Sequence, residues 1–156
     1  MTAVVTERAS GRSLISDELF ATLVRRVVAE DHLDQRLAER TVDQALAYLG
    51  ACAGNSGGLL APSEQVDLGW HAFLLYTRDY ALFCDQVAGR FIHHVPTEPG
   101  DPDATGETAR AVLSRTVRAI EAAGFAVDHE LWPCAPVSTC TGCHNGCHND
   151  PPPPPR

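Results

Sequence analysis

The stretch SDELFATLVRRVV, residues 16–28, decides the fold class. Ser16 is a helix cap by type, and Asp17 and Glu18 follow it, where carboxylates face the positive end of a helix. Leu19, Phe20, Leu23, Val24, Val27 and Val28 then recur at helical spacing and make one apolar stripe. The same grammar repeats along the chain. A second helix is expected over residues 34–52, with Leu37, Val42, Ala45, Leu46 and Leu49 inward, broken by Asn55-Ser56-Gly57-Gly58. Pro62-Ser63 reopens the chain, and Ser63 caps a helix running through Trp70, Phe73 and Leu74. Thr77 begins another, carrying Tyr80, Phe83 and Cys84 and stopping at Gly89. Residues 93–106, rich in Pro, Gly and Asp, read as a loop. The last long helix covers residues 107–123, with Val112, Leu113, Thr116, Val117 and Ile120 on one face and Gly124 ending it. No alternating run is long enough for a strand. The expectation is an all-α protein: a compact bundle of about five helices followed by an irregular Cys/His-rich C-terminal segment. The corresponding division is a flexible N-terminus over 1–15, a helical domain over 16–133, a Cys/His-rich metal-binding segment over 134–150 and a polyproline tail over 151–156.

A chain of 156 residues has room for one self-sufficient core, and 44% hydrophobic with 21% charged residues is a globular composition. The formal charge of −8 argues against nucleic acid and against anionic membranes, since both are met by basic surfaces. Arg25, Arg26, Arg36 and Arg40 alternate with Asp and Glu, as on a solvated helix face. No stretch reaches the roughly 20 apolar residues that cross a bilayer. The first 12 residues carry Glu7, Arg8 and Arg12 and lack a signal-peptide core, so a cytoplasmic, reducing setting is expected. Six cysteines in such a setting call for metal or redox chemistry in place of a disulfide framework.

Two concentrations of histidine and cysteine stand out. In the first, Asp67 and His71 are four apart and share a helix face, where they can ligate one ion or the carboxylate can orient the imidazole. Cys84 adds a thiol, and His93-His94 enter the loop braced by Pro96. The set suits zinc or another divalent transition metal. The competing explanation is core packing, with Trp70-His71 on an amphipathic helix and Cys84 as a small buried residue. The expectation drawn here is that His71 meets at least one of His93 and His94 at a polar site.

In the second, Cys140-Thr-Gly-Cys143 is a knuckle that can turn two thiolates onto one tetrahedral ion, with Cys147 as a third ligand. Cys134, His144 or His148 offers a fourth. Zinc fits thiolate with imidazole in a segment that has little core of its own. Cys140-x-x-Cys143-His144 also matches the c-type haem attachment pattern, but that modification goes with export. The spacing fits no common ferredoxin run, and a redox CxxC normally opens a helix after a strand. The five terminal prolines favour an extended end.

Pro62-Ser63, Val66-Asp67, Trp70-His71, Thr77-Arg78-Asp79-Tyr80, Phe83-Cys84 and Ile92-His93-His94-Val95-Pro96 resemble the glycine-rich domain-containing protein-like family. Arg115-Thr116-Val117, Ala123-Gly124-Phe125 and Leu131-Trp132-Pro133 are similar to its small bacterial members. The family is known from plant proteins of development and stress, some with an RNA-binding segment and a glycine-rich tail. Neither element is present here, so an RNA role is not implied. The resemblance makes His71, Cys84, His93 and His94 signature positions and supplies no catalytic residues.

Three functions remain open on the sequence. The first is a zinc-binding helical module acting through a protein partner. The second is a metal-dependent, hydrolase-like enzyme using the His71 and His93-His94 region, and the third is metal storage or delivery. No nucleophile motif, phosphate loop or zincin signature singles out the enzyme.

Overall fold

The computed structural model describes residues 6–96, 98, 100, 106–133 and 147–148. Five helices dominate: α1 (Asp17–Asp31), α2 (Gln35–Gly54), α3 (Glu64–Leu74), α4 (Thr77–Ala88) and α5 (Gly106–Ala122). The all-α bundle expected from periodicity is what forms. The caps act as their side chains dictate. Ser16 accepts from the Leu19 amide, Asp34 from Leu37 and Ser63 from Val66, each satisfying an amide that the first helical turn leaves free. Helix α4 ends on Gly89 at φ 67°, a left-handed position that glycine takes without strain.

Helix α2 is the axis of the bundle. Where α1 buries one stripe, α2 buries residues on nearly every side, among them Ala38, Val42, Ala45, Leu46, Tyr48, Leu49 and Cys52. From Gln44 to Cys52 every position is buried or half-buried, so this part of the helix runs inside the domain, while Gln35, Arg36 and Glu39 keep its start exposed. All four other helices pack on it, α3 most extensively. Gly69 marks a close approach of α3 to α2: a Cβ there would sit 2.8 Å from the Ala45 Cβ and 3.0 Å from the Thr41 carbonyl oxygen. That close seat fixes α3, and with it everything α3 carries.

Residues 9–15, within the stretch expected to be a flexible N-terminus, lie against the bundle. Ala9 makes a parallel bridge with Phe125, and Ser10–Gly11 pack on α2, where the Ser10 hydroxyl and Arg12 amide both bond Asp43. Beside this contact Gln44, which also donates to Asp43, is fully occupied. Its Oε1 accepts from the Asp128 amide at 3.0 Å and Trp132 Nε1 at 2.8 Å, and its Nε2 donates to the Ala126 carbonyl at 3.1 Å. Buried polar groups are tolerated when every lone pair and proton is used in this way.

One expectation needs correction. His93–His94, read as the start of a loop, form a two-residue strand, β1, paired antiparallel with β2 (Cys147–His148), with His93 opposite His148 and His94 opposite Cys147. Neighbouring-residue patterns could not reveal it, because a pair of two-residue strands separated by more than 50 positions leaves no local periodicity.

Candidate metal centre

The centre grows from one turn of α3. Ser63 caps that helix and also donates to the Leu131 carbonyl at 2.6 Å, so the first turn is held at both ends. Four residues in, Asp67 is buried with 4% of its side chain exposed, and one turn later His71 stands at the surface with 54% exposed. Helical spacing brings His71 Nε2 to 3.1 Å from Asp67 Oδ2.

The third member arrives from β1, and its placement is tertiary. Trp70 Nε1 donates to the Tyr80 hydroxyl at 3.0 Å, and that hydroxyl donates to the Ile92 carbonyl. This chain of bonds ties α3 and α4 to the residue two before His94. The Trp70 ring then lies 4.4 Å from the His94 ring, centroid to centroid, and forms its floor. His94 Nε2 comes within 3.1 Å of Asp67 Oδ1 and 2.9 Å of His71 Nε2.

The three donors therefore close a triangle with sides of 2.9, 3.1 and 3.1 Å. An imidazole Nε2 has one in-plane position, holding either a lone pair or a proton. Each of these nitrogens faces two partners with it. If both carry protons aimed at the carboxylate, two N–H groups confront each other at 2.9 Å; if one does not, its contact with Asp67 sets lone pair against lone pair. A cation between the three would accept all of them at once. With ligand bonds of about 2.1 Å, adjacent donors stand about 3.0 Å apart on an octahedron and about 3.4 Å on a tetrahedron. The observed sides fall in the range that donors sharing one ion occupy.

The electrostatics are consistent with a charged pair. Burial pushes the Asp67 carboxyl up, but hydrogen bonds with His71 and His94 and their charges outweigh it and bring it to about 2. The His71 imidazole is raised, first by its bond to Asp67, against the effect of burial, with further help from the charges of Asp67 and Asp31. Asp31, half-buried at the end of α1, is itself pushed up by burial and by Glu30 and pulled down by His71 and His32.

Among the sequence candidates, the structure brings together Asp67, His71 and His94, and this is the one group of three or more His, Cys, Asp or Glu donors among the described residues that could share an ion. Asp67 meets the same nitrogen of His71 that faces His94, so it stands as a donor in its own right and not behind the imidazole. His93 is outside the group: exposed, its ring lies 4.8 Å from that of Phe91, tilted to it by 57°. Successive strand residues point to opposite faces, which separates the two adjacent histidines. Cys84 is 1% exposed inside the apolar core and also outside the group. Cys134, Cys140, Cys143 and His144 lie outside the described residues, as does the tail over 151–156; Cys147 and His148 are described as strand β2. Sequence reasoning did not single out Trp70 as a floor, Tyr80 as a pin or Asp31 as a charge near His71. Each acts across helices, where spacing gives no signal.

Bundle and triad together define a helical protein with a two-histidine, one-carboxylate cluster at its surface. The chain belongs to the UCP032817-like family, whose model matches residues 12–114, a stretch that includes Asp67, His71 and His94 and ends before Cys134. No curated protein and no solved structure matches the chain. Among the described residues no helix is long and apolar enough to cross a membrane.

Proposed function

We propose that the protein binds one divalent transition-metal ion through Asp67, His71 and His94, and that this ion is its working centre. The observation that carries the reading is the convergence of two imidazole Nε2 atoms and a carboxylate within 2.9–3.1 Å of one another, close enough for one ion to take all three as ligands. Two imidazoles and a carboxylate suit zinc, iron(II), cobalt and manganese, and a facial set leaves further positions for water or substrate. His71 stands at the surface, so solvent reaches the centre. Water bound there would be acidified, and metal-assisted hydrolysis is the reaction class such a centre supports. The large aliphatic and aromatic core assembles without the triad, which favours a functional ion over one that holds the fold together.

Calorimetric titration of metal-free protein with zinc and with cobalt tests the proposal. One equivalent should bind to the triad, and His71→Ala should weaken that binding by more than about 100-fold, beyond the loss typical of an outer-shell change. Helical circular dichroism should be unchanged by chelation or by the substitution, because His71 is exposed. Equal affinity in wild type, His71→Ala and Asp67→Asn would remove the reading.

A further inference from the structure

The inward stripe of α1 does not end on an apolar residue. Phe20, Val24 and Val27 are buried at helical spacing, and the next position of that series is Asp31, the last residue of the helix. A carboxylate thus stands on the inward face where α1 leaves the bundle, half-buried, and its side chain makes no hydrogen bond or ion pair among the described residues. Contacts between helices show what it faces. Arg26 Nε donates to the Tyr76 hydroxyl at 3.3 Å, with the guanidinium 5.5 Å from the centre of that ring, so the later half of α1 lies beside the end of α3. Five residues on from Arg26 stands Asp31, and five residues back from Tyr76 stands His71; the charges of this pair act on each other. Asp31 is the carboxylate that α1 brings to the most exposed member of the triad.

We infer that Asp31 is a positioning residue of the centre: its carboxylate takes up the Nδ1–H of His71 through one bridging water and so keeps Nε2 turned toward the ion shared with Asp67 and His94. This rests on the metal reading of the triad and deepens it by naming what orients its exposed ligand. The need follows from exposure. Helix geometry fixes the Cβ of His71, but an imidazole with 54% of its side chain exposed is free to turn about its two torsions. His94 has no such freedom, since it is only 15% exposed and lies on the Trp70 ring. Once an ion takes the Nε2 lone pair, Nδ1–H is the one polar group of the His71 ring left to anchor it. Metal-bound histidines characteristically give that N–H to a carboxylate, a carbonyl or water. Asp67 cannot serve, because it meets Nε2. No direct ion pair joins Asp31 to His71, so a water completes the link, at little loss against a direct bond. The bound ion also makes Nδ1–H a stronger donor, and a charged acceptor then gains most.

Zinc titration of the full chain tests this, read on the equivalent that His71→Ala weakens, together with nuclear magnetic resonance of isotopically labelled histidine. Asp31→Asn should keep that equivalent but bind it about 10-fold more weakly, within the range for removal of a ligand's support. Asp31→Ala, which removes the acceptor altogether, should weaken it at least as much, and it serves as the reading should asparagine disturb the end of the helix. In the zinc-loaded variants the His71 Nδ1 resonance should shift while that of His94 stays in place. Glu30→Gln removes a charge one residue away, from an exposed side chain paired with Arg26 at 2.8 Å, and should change affinity by less than about twofold. Unchanged affinity in both Asp31 variants overturns the inference and leaves the triad reading standing. An equal loss in Glu30→Gln overturns it as well, by making the effect one of general charge, and so does a loss of affinity with the His71 resonance unmoved. If no equivalent is weakened by His71→Ala, the triad reading falls and this inference with it.

Discussion

Asp67 and His71 reach the centre by one route and His94 by another. The first two sit four apart on α3, so any chain that makes this helix puts them on one face. His94 lies in a two-residue strand with no periodicity of its own, and its position depends on the Trp70–Tyr80–Ile92 hydrogen bonds, on the Trp70 ring and on pairing with β2. One half of the site is therefore local and rigid, and the other is a consequence of packing. The local half should withstand perturbation elsewhere, whereas the packed half should follow the state of the core beneath it.

The sharpest break in that comparison is between two neighbours. His94→Ala should reduce metal affinity by more than about 100-fold, while His93→Ala should change it by less than about threefold, since only a ligand's loss exceeds the outer-shell range. Isothermal titration of both variants reads this directly, and equal losses would mean that the strand does not sort the two side chains as described.

A smaller effect is expected at Tyr80, whose ring is 1% exposed and whose hydroxyl joins α3 to the β1 segment. Tyr80→Phe leaves the Trp70 donor and the Ile92 carbonyl short of a partner, at a cost of about 1–3 kcal/mol in urea unfolding. Metal affinity should fall by roughly 10-fold because His94 loses its anchor, within the range seen when a ligand's support is removed. Substitution on the α3 side should show no such coupling. Stability lost without affinity lost would show that His94 is placed by other contacts.

The smallest effect is a pH profile of the metal-free protein. The Asp67 carboxyl is lowered from 3.8 to about 2, so its contribution is present above 3.8 and lost as pH falls toward 2. The His71 imidazole is raised above 6.5, so its contribution is present below 6.5 and lost as pH climbs through the raised value. Thermal stability should therefore peak between pH 3.8 and 6.5, by no more than about 2–4 °C because His71 is exposed and screened. His71→Gln should remove the upper limb of that profile. With metal bound the upper limb should vanish too, since the ion then holds the nitrogen that would take the proton.

The sequence by itself determined the helices, their caps and the pairing of Asp67 with His71. These depend on contacts within a turn or two, and such contacts are written in residue type and spacing: Ser16, Asp34 and Ser63 at the starts, Gly89 at an end, apolar stripes between. It also marked the His93-His94 pair and the cysteine-rich end as chemically unusual. Only the tertiary structure decided that His94 and not His93 joins the triad, that Cys84 is part of the core, and that Cys147 stands opposite His94. Those choices depend on how closely α3 seats against α2 at Gly69, on which hydroxyl reaches the Ile92 carbonyl, and on a strand register between residues more than 50 positions apart. Each is a contact between elements, and a period read along one element carries no information about what another brings to meet it.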